Sequence, residues 1–95
     1  MLHILFHSPF KIDVQTMRLM LFPNDTLIAL QDGVLIALKN VEILEKNIQN
    51  SCKLYLLKED VLARGLLNNI SSNFICINYT QFIVLTQKYS KYINW

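Results

Sequence analysis

Two histidines near the start of the chain, His3 and His7, stand four residues apart. On a helix this spacing can place two imidazoles on one metal ion, but the apolar run over residues 2–7 favours a strand. Side chains four residues apart on a strand share a face yet lie about 13 Å apart, too far to share a metal. We therefore expect His3 to be a packed strand residue. His7, at the strand end, is a candidate for a functional hydrogen bond or a proton transfer.

The chain contains two cysteines, Cys52 and Cys76, both inside apolar segments and without a CxxC spacing. A reactive thiol is usually partly exposed in an electropositive position, such as a helix N-terminus. Cys76 instead lies in the middle of a predicted strand, and Cys52 begins another one. Both are therefore predicted to be inert packing residues with reduced thiols.

Four short polar junctions, at residues 7–9, 31–33, 58–60 and 78–80, each follow a strand-like apolar run. Each junction opens a stretch that can be helical. In an alternating β/α chain the strands run parallel, so all four junctions should meet at one edge of one sheet. Folds of this kind place their binding sites at that edge.

The junctions hold little that could perform catalysis. The chain has only two glycines, Gly33 and Gly65, far apart, so no phosphate-binding loop is present. Gly33 is expected to permit a tight strand-to-helix turn, and Asp32 to cap the following helix. A ligand contact at Gly33 and a partner contact at Asp32 remain the alternatives.

The third junction carries paired acids, Glu59 and Asp60, which favour a helix N-terminus through the helix dipole. Arg64 follows Asp60 by four residues, the spacing of an ion pair along a helix. Gly65 then offers a left-handed end to this helix.

Basic and aromatic residues alternate near the end of the chain, at Lys88, Tyr89, Lys91, Tyr92 and Trp95. This pattern occurs on RNA-binding surfaces, where bases stack on aromatic rings. An amphipathic helix end followed by an aromatic anchor explains it equally well, and we favour that interpretation.

The periodicity of apolar residues predicts the elements that position these side chains. Strands are predicted over residues 2–7, 26–31, 52–58 and 74–78. The first predicted helix has Ser8 as its N-cap and Pro9 in its first position, and it ends at Leu21. The second covers residues 34–38, is interrupted, and resumes over 41–48. Two more helices are predicted, one over 59–64 and one from an Asn78–Gln81 capping box to about Ser90. The prediction is one α/β domain over residues 1–95, a three-layer sandwich with a mainly parallel central sheet flanked by helices.

The composition points to association with other chains. Of the 95 residues 53% are hydrophobic and only 17% are charged, and the mean hydropathy is +0.30. This is more apolar surface than a domain of this size can bury alone, so a stable oligomer is expected. No apolar run approaches the roughly 18 residues of a membrane span, and the first six residues are too short for a signal peptide. A cytoplasmic protein without membrane contact is expected, and the net charge of +2 gives no reason to expect direct nucleic-acid binding.

Taken together, these segments resemble the DsrH family over essentially the whole chain. The resemblance rests on Met1-Leu2-His3, Ser8-Pro9-Phe10, Gln31-Asp32-Gly33-Val34, Leu57-Lys58-Glu59-Asp60, Ala63-Arg64-Gly65, Asn78-Tyr79-Thr80-Gln81-Phe82, Leu85-Thr86 and Trp95. It implies a subunit that joins TusC-like and TusD-like subunits of similar fold in a heterohexamer with two copies of each. Such a complex relays persulfide sulfur to a TusE-like carrier, towards thiolation of the wobble uridine in transfer RNA.

The resemblance also implies that the sulfur-bearing cysteine belongs to the TusD-like subunit. DsrH proteins of sulfur oxidisers can carry a cysteine in the first helix, whereas the comparable stretch here, Met17-Arg18-Leu19-Met20, has none. The resulting hypothesis is a non-catalytic subunit, neither an enzyme nor a cofactor-binding protein. Its candidate partner-contact residues are Ser8, Asp32, Gly33, Asp60, Arg64, Tyr79 and Trp95. The alternatives are a persulfide carrier using Cys52 and a small RNA-binding module using residues 88–95.

Overall fold

A five-stranded parallel sheet forms the centre of the fold in a computed structural model that describes residues 1–39 and 52–95. Its strand order is β4-β3-β2-β1-β5, and every pairing is parallel. The strands are β1 Leu2–Leu5, β2 Thr26–Ala29, β3 Lys53–Leu57, β4 Ile75–Ile77 and β5 Tyr92–Asn94. The predicted α/β fold with a parallel sheet is therefore confirmed.

Helices lie on both faces of this sheet. The α-helices are α1 Val14–Met20, α2 Lys58–Ala63 and α3 Tyr79–Gln87, and two 3₁₀ helices span Gln31–Ala37 and Leu67–Asn69. The stretch predicted as helical over 34–38 is part of the first 3₁₀ helix. The helix predicted over 41–48 lies outside the described residues.

The two faces of the sheet bury separate apolar clusters. On one face, α1, the first 3₁₀ helix and α2 pack over Leu5, Leu27 and Leu56. On the other face, α3 packs over β-strand residues that include Ile4 and Ile28. Both faces of β1 and β2 are thus covered. This explains why their sequences are continuous apolar runs rather than alternating ones.

Helix α1 begins later than the sequence predicts. Its N-cap is Asp13, whose Oδ1 accepts the Thr16 N–H at 3.2 Å. The predicted cap Ser8 is buried and instead accepts the Phe10 N–H at 3.2 Å, which closes a turn ahead of the helix. As a result Phe10 lies ahead of the helix and is 68% exposed.

The last strand, β5, is absent from the prediction. Residues 88–95 were interpreted as a helix end with an anchor, but α3 ends at Gln87 and Tyr92–Asn94 pairs with β1. The Trp95 N–H donates to the Ile4 carbonyl at 2.8 Å, which extends the pairing. A three-residue strand with one apolar residue facing the core has too little periodicity to be recognised without its partner.

The turn after β2 needs glycine for a different reason from the one predicted. A Cβ atom on Gly33 would lie 2.2 Å from the Leu5 carbonyl oxygen of β1, so the 3₁₀ helix can approach the strand only if this side chain is missing. The left-handed conformation occurs two residues earlier, at Gln31, with φ of 53°. Gly65, with φ of 65°, ends α2 as predicted.

Several large apolar side chains remain exposed, as the composition predicts. They include Leu19 on α1, Ile83 and Val84 on α3, and Ile75 and Tyr92 on the edge strands. Among the residues that the structure describes, no helix is long and apolar enough to cross a membrane.

Replacing each glycine by alanine should distinguish the steric requirement at Gly33 from the conformational requirement at Gly65. Gly33→Ala should lower the free energy of unfolding by about 2 kcal/mol or more, because the new methyl group collides with backbone. Gly65→Ala meets no atom within 4 Å and should cost only about 1 kcal/mol, from its left-handed φ. Urea unfolding of both variants measures this, and a Gly33→Ala protein as stable as Gly65→Ala would contradict the close approach.

Candidate functional site

The second and third junctions meet at the carboxyl edge, the edge of the sheet where the strands end. The Asp60 Oδ2 accepts the Gln31 N–H at 2.6 Å, so a carboxylate holds the residue that adopts the left-handed conformation. Arg64 donates from Nη2 to Asp32 Oδ1 at 3.0 Å, and its Nη1 lies 3.9 Å from Asp60 Oδ1. The predicted ion pair between Asp60 and Arg64 is present, but Asp32 pairs with Arg64 instead of capping a helix.

The third and fourth junctions are joined in a similar way. Glu59 Oε2 accepts the Tyr79 N–H at 3.1 Å, in the first turn of α3. The predicted capping box is confirmed: Asn78 and Gln81 exchange side-chain-to-backbone hydrogen bonds of 2.8 Å each. The side chains of Glu59, Asn78 and Gln81 are therefore engaged by contacts within the chain.

The first junction is held by residue Trp95. Its carbonyl oxygen accepts the Phe6 N–H at 2.9 Å and lies 3.2 Å from His7 Nδ1. His7 is exposed, and its Nδ1 faces a main-chain oxygen of Trp95 rather than another side chain. The predicted hydrogen bond of His7 is therefore present, and proton transfer at His7 stays a prediction.

The predicted contact residues differ in how much of them is accessible. Asp32, Arg64 and Tyr79 are exposed, Asp60 and Trp95 are half-buried, and Ser8 and Gly33 are buried. The fold brings Asp32, Asp60 and Arg64 together in one charged network. Ser8 and Gly33 therefore serve the turns that support this edge, and a partner would touch mainly the other residues.

Neither cysteine lies at the carboxyl edge. Cys52 precedes β3, and its Sγ donates to the Phe22 carbonyl at 3.2 Å. Burial raises the pKa of the Cys52 thiol, and the nearby Asp25 carboxylate raises it further. Cys76 is half-buried in β4, as a packing residue against the core. The raised pKa of Cys52 suppresses its reactive thiolate, and the half-buried position of Cys76 against the core fits the predicted packing role.

A buried polar cluster lies at the opposite, amino edge of the sheet and was not predicted. Asp25 Oδ2 accepts the Phe22 N–H at 3.0 Å and lies 3.0 Å from His3 Nε2, while Oδ1 accepts from the Met1 ammonium group at 3.0 Å. Burial acts to raise the pKa of Asp25, but these hydrogen bonds outweigh it, and the pKa lies below its ordinary value. The sequence gives little indication of this cluster, because an aspartate after Pro23 and Asn24 is typical of a turn.

Trp95 extends this cluster to β5. Its indole Nε1 donates to His3 Nδ1 at 3.1 Å, so the ring proton of fully buried His3 lies on Nε2 and is donated to Asp25. Tyr89 is likewise engaged, since its hydroxyl lies 2.6 Å from Thr26 Oγ1. Two of the three aromatic rings between residues 88 and 95 therefore serve the fold, which argues against a stacking surface for RNA.

The chemistry available to the described residues is thus limited. The edge offers charged and polar side chains that already bind one another, and no thiol. No group of three or more His, Cys, Asp or Glu side chains in ranges 1–39 and 52–95 could hold a metal ion. The described side chains at this edge form a charged and polar surface on an α/β scaffold.

Comparison with known proteins shows the family of this chain. The family described as DsrH like protein matches residues 7–92, and the chain belongs to that family. Proteins named TusB are similar to it over the full length of both chains. Identities are 52% in Buchnera aphidicola subsp. Acyrthosiphon pisum (strain 5A), 42% in Buchnera aphidicola subsp. Baizongia pistaciae (strain Bp) and 38% in Yersinia pestis (strain Pestoides F).

A solved structure shares the fold. The solution NMR structure of protein Tm0979 from Thermotoga maritima matches with a TM-score of 0.65 and 26% sequence identity. The match covers 96% of this chain and 97% of that one. The parallel sheet and its flanking helices are therefore found in a known protein of nearly the same extent.

Two carboxylates of the edge network should differ in their effect on stability. Asp60→Ala should lower the free energy of unfolding by about 2 kcal/mol, because it leaves the Gln31 N–H without its charged acceptor. Asp32→Ala removes an exposed ion pair, with 61% of the Asp32 side chain accessible, and should cost less than about 1 kcal/mol. Chemical unfolding of the two variants compares them directly, and equal losses would contradict the assigned role of Asp60.

The Asp25 cluster predicts a specific loss of stability in acid. The pKa of Asp25 is lower in the folded protein than its ordinary value of 3.8. The Asp25 carboxylate therefore stabilises the folded protein at pH values above 3.8, and this stabilisation is lost as the pH falls through the pKa of the folded state. Asp25→Asn should be less stable than the original protein near neutral pH, and should lose less stability from about pH 5 downwards. Urea unfolding at a series of pH values tests this, and parallel stability curves for the two proteins would rule it out.

Proposed function

We propose that this chain is a non-catalytic subunit of a cytoplasmic sulfur-relay complex that passes persulfide sulfur towards thiolation of the wobble uridine in transfer RNA. The observation that carries the proposal is the position and burial of its two thiols. The chain has two cysteines, and both lie away from the carboxyl edge, half-buried and without a neighbouring cation in the described contacts. A sulfur carrier needs an accessible thiolate, which neither position favours.

The partners proposed are TusC-like and TusD-like subunits in a heterohexamer, with a TusE-like carrier that receives the sulfur. Membership of the DsrH family and the full-length similarity to proteins named TusB support this assignment. The exposed apolar side chains support a subunit independently of the similarity, since an isolated domain gains nothing from leaving them in water.

The carboxyl edge is proposed to contact a partner. Asp32, Asp60 and Arg64 form a charged surface whose geometry is fixed by hydrogen bonds, and exposed Tyr79 begins the adjacent helix. A rigid surface of this kind loses little side-chain freedom when a second protein docks on it. The carboxyl edge would form part of the docking site for the TusE-like carrier, and the TusD-like subunit would hold the persulfide.

Replacing both cysteines tests the proposal. The Cys52→Ser, Cys76→Ser chain, assembled with TusC-like and TusD-like subunits, should transfer labelled sulfur from a cysteine desulfurase to the TusE-like carrier at an unchanged rate. Serine preserves a donor to the Phe22 carbonyl, so assembly should also be unchanged. The matched control removes the sulfur-bearing cysteine of the TusD-like subunit, which should abolish transfer.

Two results would contradict a non-catalytic role. One is loss of transfer by the double variant while mass measurement shows an intact complex. The other is retention of labelled persulfide on Cys52 of the chain after incubation with the desulfurase. The raised pKa of Cys52 leads us to expect neither result.

A further inference from the structure

The buried imidazole of His3 has a partner for each of its ring nitrogens. The side chain has no exposed surface. Its Nε2 lies 3.0 Å from Asp25 Oδ2, and its Nδ1 lies 3.1 Å from the Trp95 indole Nε1. An indole nitrogen can only donate, so Nδ1 must accept, and the imidazole is neutral while this hydrogen bond exists. The docked position of Trp95 therefore fits only one of the two charge states of His3.

Adding a proton to His3 would set two donors against each other. An imidazolium carries a proton on both ring nitrogens, so its Nδ1–H would face the Trp95 N–H. The contact with Asp25 survives, because Nε2 donates in both charge states. A buried donor left without an acceptor shifts an equilibrium by about 5- to 150-fold. The conflict therefore falls on Trp95.

The Asp25 side of the imidazole keeps its acceptor over the range in which histidines titrate. Asp25 also accepts from the Met1 ammonium group and from the Phe22 N–H, at 3.0 Å each. Burial acts against ionisation of Asp25, but these hydrogen bonds keep its pKa below the ordinary value, so the carboxylate stays charged between about pH 5 and 8. The Cys52 thiol nearby has a pKa raised by burial and by the Asp25 charge. It is therefore uncharged over most of this range.

The described contacts offer no other acceptor to Nδ1. Trp95 does not titrate, and Tyr92 of β5 lines the groove beside Leu2 on the other face of the sheet. His3 alternates with Leu2 and so lies on the face that α1, α2 and the first 3₁₀ helix cover. The charged residues in or next to these helices are Asp13, Arg18, Asp32, Lys58, Glu59, Asp60 and Arg64. In the described contacts none of them bonds to the imidazole, whose two partners are Asp25 and Trp95.

Trp95 is also the partner that is free to move. It is half-buried and follows β5, a three-residue strand at the edge of the sheet that pairs with β1 alone. Its backbone holds β1 at two points: its N–H donates to the Ile4 carbonyl at 2.8 Å, and its main-chain oxygen accepts the Phe6 N–H at 2.9 Å. Movement of the indole would therefore loosen the first junction at the carboxyl edge as well.

We propose that His3 is a pH switch for the last strand: when it takes up a proton, Trp95 leaves its docked position and β5 loosens from β1. The released arrangement can bind a proton that the docked one excludes, so docking weakens as the pH falls. The switch carries a change of pH from the buried cluster at the amino edge to the backbone of Phe6 at the carboxyl edge. It goes beyond the proposed function and does not depend on it.

The fluorescence of Trp95 tests the switch, because Trp95 is the only tryptophan of the sequence. In the full chain, acidification from about pH 8 to about pH 5 should shift its emission to longer wavelength, while the far-UV circular dichroism changes little. His3→Gln, which takes up no proton, should remove the shift. Asp25→Asn should move the shift to lower pH, because the carboxylate favours an imidazolium beside it.

The matched control is His7→Gln, at the other histidine of the sequence. His7 also contacts Trp95, through a main-chain oxygen, so this variant identifies which histidine is responsible. It should shift like the original chain.

Four results would overturn the proposal. They are an emission wavelength that does not change with pH, a shift that His3→Gln retains, a shift that His7→Gln loses, and a shift that coincides with loss of the circular dichroism signal. If His3→Gln does not fold, nuclear magnetic resonance of the isotope-labelled original chain decides. The His3 ring nitrogens and the Trp95 indole N–H should then titrate together, and titration of His3 without a change at the indole refutes the switch.

Discussion

The attachment of the last strand to the first is the constraint that shapes the sheet, and the hydrogen bond from the Trp95 indole to His3 is part of it. This hydrogen bond joins side chains 92 residues apart and fixes β5 against β1, together with the backbone bonds from Phe6 and to Ile4. To reach this position the chain must return from β4, at one edge of the sheet, past three strands to the free side of β1. A right-handed connection that reverses its direction along the sheet must cross the opposite face, which is where α3 lies.

The same return path explains the uneven layers. Connections from β1 through β4 progress in one direction, and the helices described between them, α1 and α2, share a face. Only α3 belongs to the returning connection. Among the described residues, the position of α3 as the one helix on its face is thus a consequence of strand order.

The carboxyl edge shows how an α/β fold can keep the geometry of a binding site without its chemistry. Parallel strands bring the four junctions together, and in this chain the polar groups there are linked to one another through Asp60, Arg64 and Glu59. Their hydrogen-bonding capacity holds the turns in place. The rigid edge is suited to the proposed contact with another protein, and its described residues include no thiol.

Much of the fold could be predicted because the strongest signals are local. The apolar runs of β1 to β4, the Asn78–Gln81 capping box and the left-handed end at Gly65 each depend on a few neighbouring residues. The errors arose where distant contacts decide. Ser8 closes a turn instead of capping a helix, and Asp32 pairs with Arg64, 32 residues away, instead of capping one. His3, Asp25 and Trp95 are unremarkable in sequence and meet only in the folded sheet.

The pairing of β5 with β1 also sets the order in which the protein can fold. Local contacts form first, and a contact across 92 residues carries a large loop-closure cost that slows its formation. Until β5 docks, one side of β1 is a bare strand edge beside an apolar face, the kind of surface that pairs with other chains. A growing polypeptide must therefore keep its first strand unpaired on one side until β5, Tyr92–Asn94, has been made.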